Sequence, residues 1–263
     1  LDEMLRRIDH LGRLGTSALA RVSMVFPGVM LMQMMSAGAF GGGISSAVAR
    51  ALGAGRRDDA NALLVHALVI GALMGLVFMT LALLGGPAFY RLLGGEGESL
   101  AAAVTYSNVV FCGGVLFWIF AALSNVIRGT GNMMVPASIT CLGVLILIPL
   151  SPCLINGWGP FPRLGVGGGG VALIVYYLVG SIIQGAYLLS GRGVLKPSLF
   201  GTRLRGALFR DILKVGAVAA LVTLQTNLTV MAITGLIGRF GNAAIAGYGV
   251  GSRVMQSLFL PAM

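Results

Sequence analysis

Charge is what this sequence has least of. Only 26 of its 263 residues are charged, 18 Lys or Arg and 8 Asp or Glu, against about 25% in soluble domains. That scarcity excludes an ordinary water-soluble domain. Acid is scarcest of all: none of the eight Asp or Glu lies in a long uncharged run, which leaves no carboxylate at depth for proton transfer or hydrolysis. Cysteine is also rare. Cys112, Cys141 and Cys153, spaced 29 and 12 apart, match neither a zinc motif nor a disulfide framework, and read as buried free thiols. With no His, Cys and acid cluster inside the apolar runs, the chain reads as no enzyme, with no cofactor and no bound metal. The amino end LDEMLRRIDH is charged and lacks the apolar core of a cleavable signal.

What is abundant points one way. Apolar residues make up 57% of the chain and 41 residues are glycine, a combination expected of packed transmembrane helices. Uncharged runs cover 22–49, 60–90, 99–127, 129–162, 164–191 and 215–238, each of 24 residues or more. Each is long enough to cross a bilayer, which takes about 20 residues. A seventh run from Asn242 is broken only by Arg253. The fold class is therefore an all-α polytopic membrane protein.

The net charge of +10 marks loops and not a nucleic-acid face. Alternation puts the 50–59 turn, Arg128 and the 192–214 segment on one side of the membrane. Together they hold ten Lys or Arg, against three (Arg91, Arg163, Arg239) in the opposite loops. The positive-inside rule makes the richer side cytoplasmic and gives it some affinity for anionic lipid. Arg6, Arg7, Arg13 and Arg21 fall on the wrong side of this scheme.

Residues 12–20, GRLGTSALA, reappear as GRFGNAAIA at 238–246, with five of nine positions identical. Six runs lie between the copies, so both face the same side, the pattern of a parallel duplicated transporter. The second copy follows a run long enough to span; the first follows eleven residues that include Asp2, Glu3, Arg6, Arg7 and Asp9. The repeat thus predicts a six-helix lobe lacking its first helix in residues 1–191. It predicts a linker with an in-plane helix (Leu204, Leu208, Ile212) in 192–214, and the start of a second pseudo-symmetric lobe in 215–263.

Polar residues inside the runs are candidates for a substrate path: Gln33, Asn108, Asn125, Ser151, Tyr176, Gln184, Gln225, Thr226, Asn227 and Tyr248, with Arg253 as the one charge at depth. Tyr106, Thr140 and Tyr177 belong to the same wider set. Each is also an ordinary helix-to-helix tie, worth about 0.6 kcal/mol. His66 reads as an interfacial histidine. Pro149 and Pro152 predict a bent helix, and the glycines of 157–170, GWGPFPRLGVGGGG, predict close helix packing.

Five stretches, GRLGTSALA, SSAVARALGAGRRDDA (45–60), IRGTGNMMVPA (127–137), GWGPFPRLGVGGGGVAL (157–173) and RFGNAAIAGYGVGSRV (239–254), together resemble the multidrug and toxic compound extrusion (MATE) family of cation-coupled antiporters. The resemblance implies twelve helices in two six-helix lobes around a central cavity, of which this chain would hold helices two to seven and part of eight. It implies export of small organic, often cationic, compounds driven by H+ or Na+. It also implies a multi-pass protein of the bacterial inner membrane, whose partners are the bilayer and a second lobe of the same chain. Where family members carry acids or amides, this chain has Arg7, Leu147, Ser151, Met255 and Asn132. A flippase for a lipid-linked saccharide would want a basic cavity, and a seven-helix receptor gives no reason for the repeat.

Overall fold

The computed structural model describes residues 25–92, 97–157, 162, 164–191, 193–196 and 203–238. Both copies of the repeat lie outside these residues, apart from Gly238, as do Tyr248 and Arg253. The described chain is helical: α1 (Phe26–Gln33), a π-helical segment (Met34–Phe40), α2 (Gly41–Gly53), α3 (Arg57–Leu92), α4 (Gly97–Cys112), α5 (Gly114–Gly129), α6 (Met134–Asn156), α7 (Val166–Leu189) and α8 (Gly206–Gly238). Helices occupy all six long uncharged runs. Among the described residues, α3, α6 and α7 are long and apolar enough to cross a membrane, and α4 with α5, bent by 45° at their junction, makes a fourth when the pair is taken as one span.

Local chemistry sets the breaks. The α2–α3 turn closes with Gly55 at φ 72°: Gly55 N–H bonds Leu52 O at 3.0 Å and Arg56 N–H bonds Ala51 O at 2.9 Å, the paired bonds of a Schellman end. Asp58 and Asp59 then sit in the first turn of α3, where the helix dipole favours negative charge. The bend between α4 and α5 falls at Gly113, where a Cβ would lie 2.6 Å from Ile174 Cγ1. Glycine pairs are a known cause of kinks.

α5 is the axis of the bundle. Twelve of its 16 residues are buried, covered by α3, α2 and α7. Glycine permits these contacts: a Cβ at Gly75 of α3 would stand 2.6 Å from Val115 Cα, and one at Gly129 of α5 would stand 2.7 Å from Ser45 O. Trp118 packs between Phe40 and Phe78, each at a centroid distance of 5.6 Å. The glycine run of α7 does what its composition predicted at two positions, since a Cβ at Gly168 would meet Leu154 O at 2.5 Å and one at Gly170 would meet Val109 Cγ1 at 2.8 Å.

Three expectations change. The thiols are not buried: Cys112 and Cys141 are exposed on the bundle surface and Cys153 is half-buried, because α6 and the end of α4 carry few neighbours. Residues 206–214 form no separate in-plane helix. They are the first turns of α8, which runs unbroken to Gly238 because Leu208 and Ile212 are buried and Gly43 lets the α8 backbone approach α2. His66 is 0% exposed and faces protein.

Candidate functional site

Tyrosines from two helices meet polar side chains from two others. On α7, Tyr176 and Tyr177 pack edge to face at 4.8 Å. Phe117 of α5 meets Tyr177 at 4.9 Å, and Phe120 meets both tyrosines at 5.5 and 5.6 Å. The Tyr177 side chain makes a polar contact with Gln33 at the end of α1 and stands near Tyr106 of α4. Tyr176 makes one with Thr140 of α6, its ring seated on Gly143. Ser151 of α6 faces Gly169 of α7, next to Tyr106. Beside Tyr176 lies a cavity of about 250 Å³ between α6 and α7, lined among others by Leu142, Ile146, Leu147 and Ile183.

The patch is aromatic and uncharged, and its tyrosines offer polar tips on apolar bodies. Such walls hold flat or amphipathic organic molecules, with face-on attraction for cations. The α-helix gives way to the π segment directly after Gln33, a distortion common at functional positions.

The sequence candidates separate. Gln33, Ser151 and Tyr176 join the patch. Asn125 and Gln184 do not: buried Gln184 exchanges two hydrogen bonds with Ser124, Ser124 Oγ to Oε1 at 3.1 Å and Nε2 to Ser124 Oγ at 2.9 Å. Asn125 Nδ2 donates to Ala121 O at 2.7 Å and packs on Gly41. Both act as ties. Asn108 is half-buried on α4.

On α8, Gln225 and Thr226 are exposed and Asn227 is half-buried. The hydroxyls of Thr223, Thr226 and Thr229 donate to carbonyls one turn back. Asn227 Nδ2 donates to Thr223 O at 2.8 Å and faces Met34 Sδ at 3.7 Å, so Asn227 is on the side of α8 that meets the π segment, whereas Gln225 and Thr226 are not. Phe117 and Phe120 were not among the candidates. Their sign in the sequence is an aromatic pair three residues apart on one helical face.

Fold and site together define a polytopic helical membrane protein with an aromatic, uncharged patch between its helices. The MatE family model matches residues 10–153, and the chain belongs to the MATE family of membrane transporters. It is 28% identical to the FAD transporter of Shewanella oneidensis over 96% of this chain and 56% of that protein. It is 26% identical to the probable multidrug resistance protein YoeA of Bacillus subtilis over 95% of this chain and 54% of that one. Among solved structures, a MATE protein in a bent conformation superposes with a TM-score of 0.88 at 24% identity, covering 94% of this chain and 55% of that chain. A MOP superfamily transporter from Pyrococcus furiosus gives 0.85 at 24%, covering 95% and 55%; these two likenesses concern the fold. The chain spans about half the length of the relatives it matches.

Proposed function

We infer that this chain is part of a secondary-active exporter of small organic compounds. It works by cation-coupled antiport, driven by H+ or Na+, in the inner membrane of a bacterium. Residues 1–191 form most of one lobe, 192–214 link the lobes, and 215–263 begin the second lobe of the same chain, against which the first rocks. The observation that carries the reading is the patch of Tyr106, Tyr176, Tyr177, Phe117 and Phe120 with Gln33 and Thr140. It suits an amphipathic, flat, often cationic guest, held by aromatic faces at roughly 0.5–2 kcal/mol each. The polar α8 face, Gln225 and Thr226, fits the opposite wall, with Tyr248 and Arg253 further along the second lobe.

The test is efflux of a fluorescent cationic dye from cells or vesicles carrying the full-length protein. Dye accumulation should fall, and collapsing the ion gradient should restore it. Unchanged accumulation across a broad panel of organic cations would overturn the reading. A second substrate reading is favoured by the FAD transporter among the relatives. An isoalloxazine ring would stack on the same aromatic patch, but the pyrophosphate of FAD needs cations, and Arg253 is the charge that interrupts the last apolar run of the sequence. Transport of FAD that is lost in Arg253→Ala, with no dye efflux, would favour that reading.

A further inference from the structure

His66 is fully buried and held at both ring nitrogens. Nδ1 lies 2.8 Å from Ala62 O, and Nε2 accepts the Arg205 backbone N–H at 2.8 Å. A carbonyl only accepts and an amide only donates, so the network assigns the proton to Nδ1 and the lone pair to Nε2. The ring also packs against Phe209 at a centroid distance of 4.6 Å, tilted by 58°. Arg205 immediately precedes α8, so a residue of α3 caps the entry of the next helix.

Three other ties join the same end of the molecule. The Arg205 guanidinium meets Asp59 Oδ1 at 2.6 Å, Asn61 Oδ1 accepts the Lys196 N–H at 2.9 Å, and Arg50 Nη2 reaches Asp211 O at 3.4 Å. We propose that these contacts form a clasp fastening the start of α8 to the α2–α3 turn, and that His66 is its proton-sensitive release.

The neutral ring holds the clasp closed. A proton on Nε2 turns the acceptor into a donor facing the Arg205 N–H, and two donors repel at that distance. It also adds positive charge against the main chain of Arg205, itself a cationic residue. The charged groups around the ring do not compensate. Asp59, on the same helix, is already shared by Arg205 and by Arg56 at 3.4 Å. On α8, Asp211 offers Arg50 its main-chain oxygen, and Lys196 of the connecting segment adds a further positive charge. The clasp needs the uncharged ring, so a proton taken up at Nε2 opens it. Its purpose rests on the alternating-access reading: freeing α8 at this end separates the two lobes on the face that holds the basic turns.

The test is amide hydrogen exchange of residues 203–212 in the full-length protein in lipid nanodiscs, at about pH 5 and about pH 8. His66→Gln supplies an acceptor that does not titrate, and His66→Ala supplies none. Relative to His66→Gln at the same pH, wild type should lose about tenfold in protection at the acid end, the scale of one hydrogen bond. His66→Ala should lack that protection at both ends. Equal pH ratios in wild type and His66→Gln, or His66→Ala as protected as wild type near pH 8, would overturn the proposal. Should a variant fail to fold, wild type is judged alone against α5, whose buried amides carry only the intrinsic pH effect. Exchange needs no transported compound: a responsive clasp without dye efflux leaves the clasp standing and removes the transport reading, whereas efflux with an unresponsive segment removes the clasp.

Discussion

Helices α5 and α6 are equally free of acid and similarly apolar, yet they occupy opposite situations. In α5, 12 of 16 residues are buried; in the membrane-crossing window of α6, 6% are. Hydropathy decides that both can enter a bilayer, but neighbours decide what each does there. α5 meets glycines on α3, α7 and α2, so its polar residues are enclosed: Ser124 is tied to Gln184 and Asn125 bonds its own helix. α6 meets chiefly α7, so Leu142, Leu145, Ile146 and Ile148 stay exposed, and Ser151 and Thr140 remain at the edge of the tyrosine patch. The difference teaches that a polar residue in a well-covered helix is first a fastening, and one on a sparsely covered helix is first a candidate contact.

The sharpest way to break this comparison is to crowd the covered helix. Gly75→Leu pushes side-chain atoms into the Val115 backbone and should cost about 2–3 kcal/mol or abolish folding, the scale of overpacking, as read by thermal unfolding in detergent. Gln184→Ala leaves the Ser124 hydroxyl without its partner. It should destabilise by roughly 0.6–1.7 kcal/mol while dye efflux by the full-length protein stays within about twofold of wild type. Efflux lost in this variant at unchanged stability would move Gln184 from fastening to path. Tyr177→Phe keeps the ring and removes the contact with Gln33; it should raise the concentration for half-maximal transport about threefold, under 1 kcal/mol. Leu145→Ala on α6 should change stability by less than about 0.5 kcal/mol, as for other uncovered sites. A cost above about 2 kcal/mol would mean that α6 is as enclosed as α5.

Much of the fold was legible because a bilayer imposes a ruler. The six uncharged runs became helices, and the basic turns gathered at one end, since Lys196 reaches Asn61, Arg50 reaches Asp211 and Gly129 packs on Ser45 next to Arg128. Burial was less legible. The cysteines were placed inside on residue type alone, yet two lie on surfaces with few neighbours. His66 was placed at an interface because it stands seven residues past Asp59, and no linear pattern announces that a segment almost 140 positions later returns to cap its ring. The in-plane helix failed for the same reason: Leu208 and Ile212 are buried where Gly43 lets α8 approach α2, while Leu204 stays exposed ahead of the helix. Of the path candidates, Gln33, Ser151 and Tyr176, singled out as polar residues in apolar runs, lie at the tyrosine patch. Phe117 and Phe120 were missed because an apolar ring in an apolar helix carries no contrast.

The central claim is that the aromatic patch between α4, α5, α7 and the end of α1 forms a wall of the substrate path. Equilibrium binding of a fluorescent organic cation to the full-length protein in nanodiscs tests it most directly, comparing wild type, Tyr177→Ala and Gln184→Ala. The account predicts about a tenfold loss of affinity in Tyr177→Ala, the scale of one desolvated cation–aromatic contact, and little change in Gln184→Ala. Undiminished binding in Tyr177→Ala, or an equal loss in both variants, would contradict it.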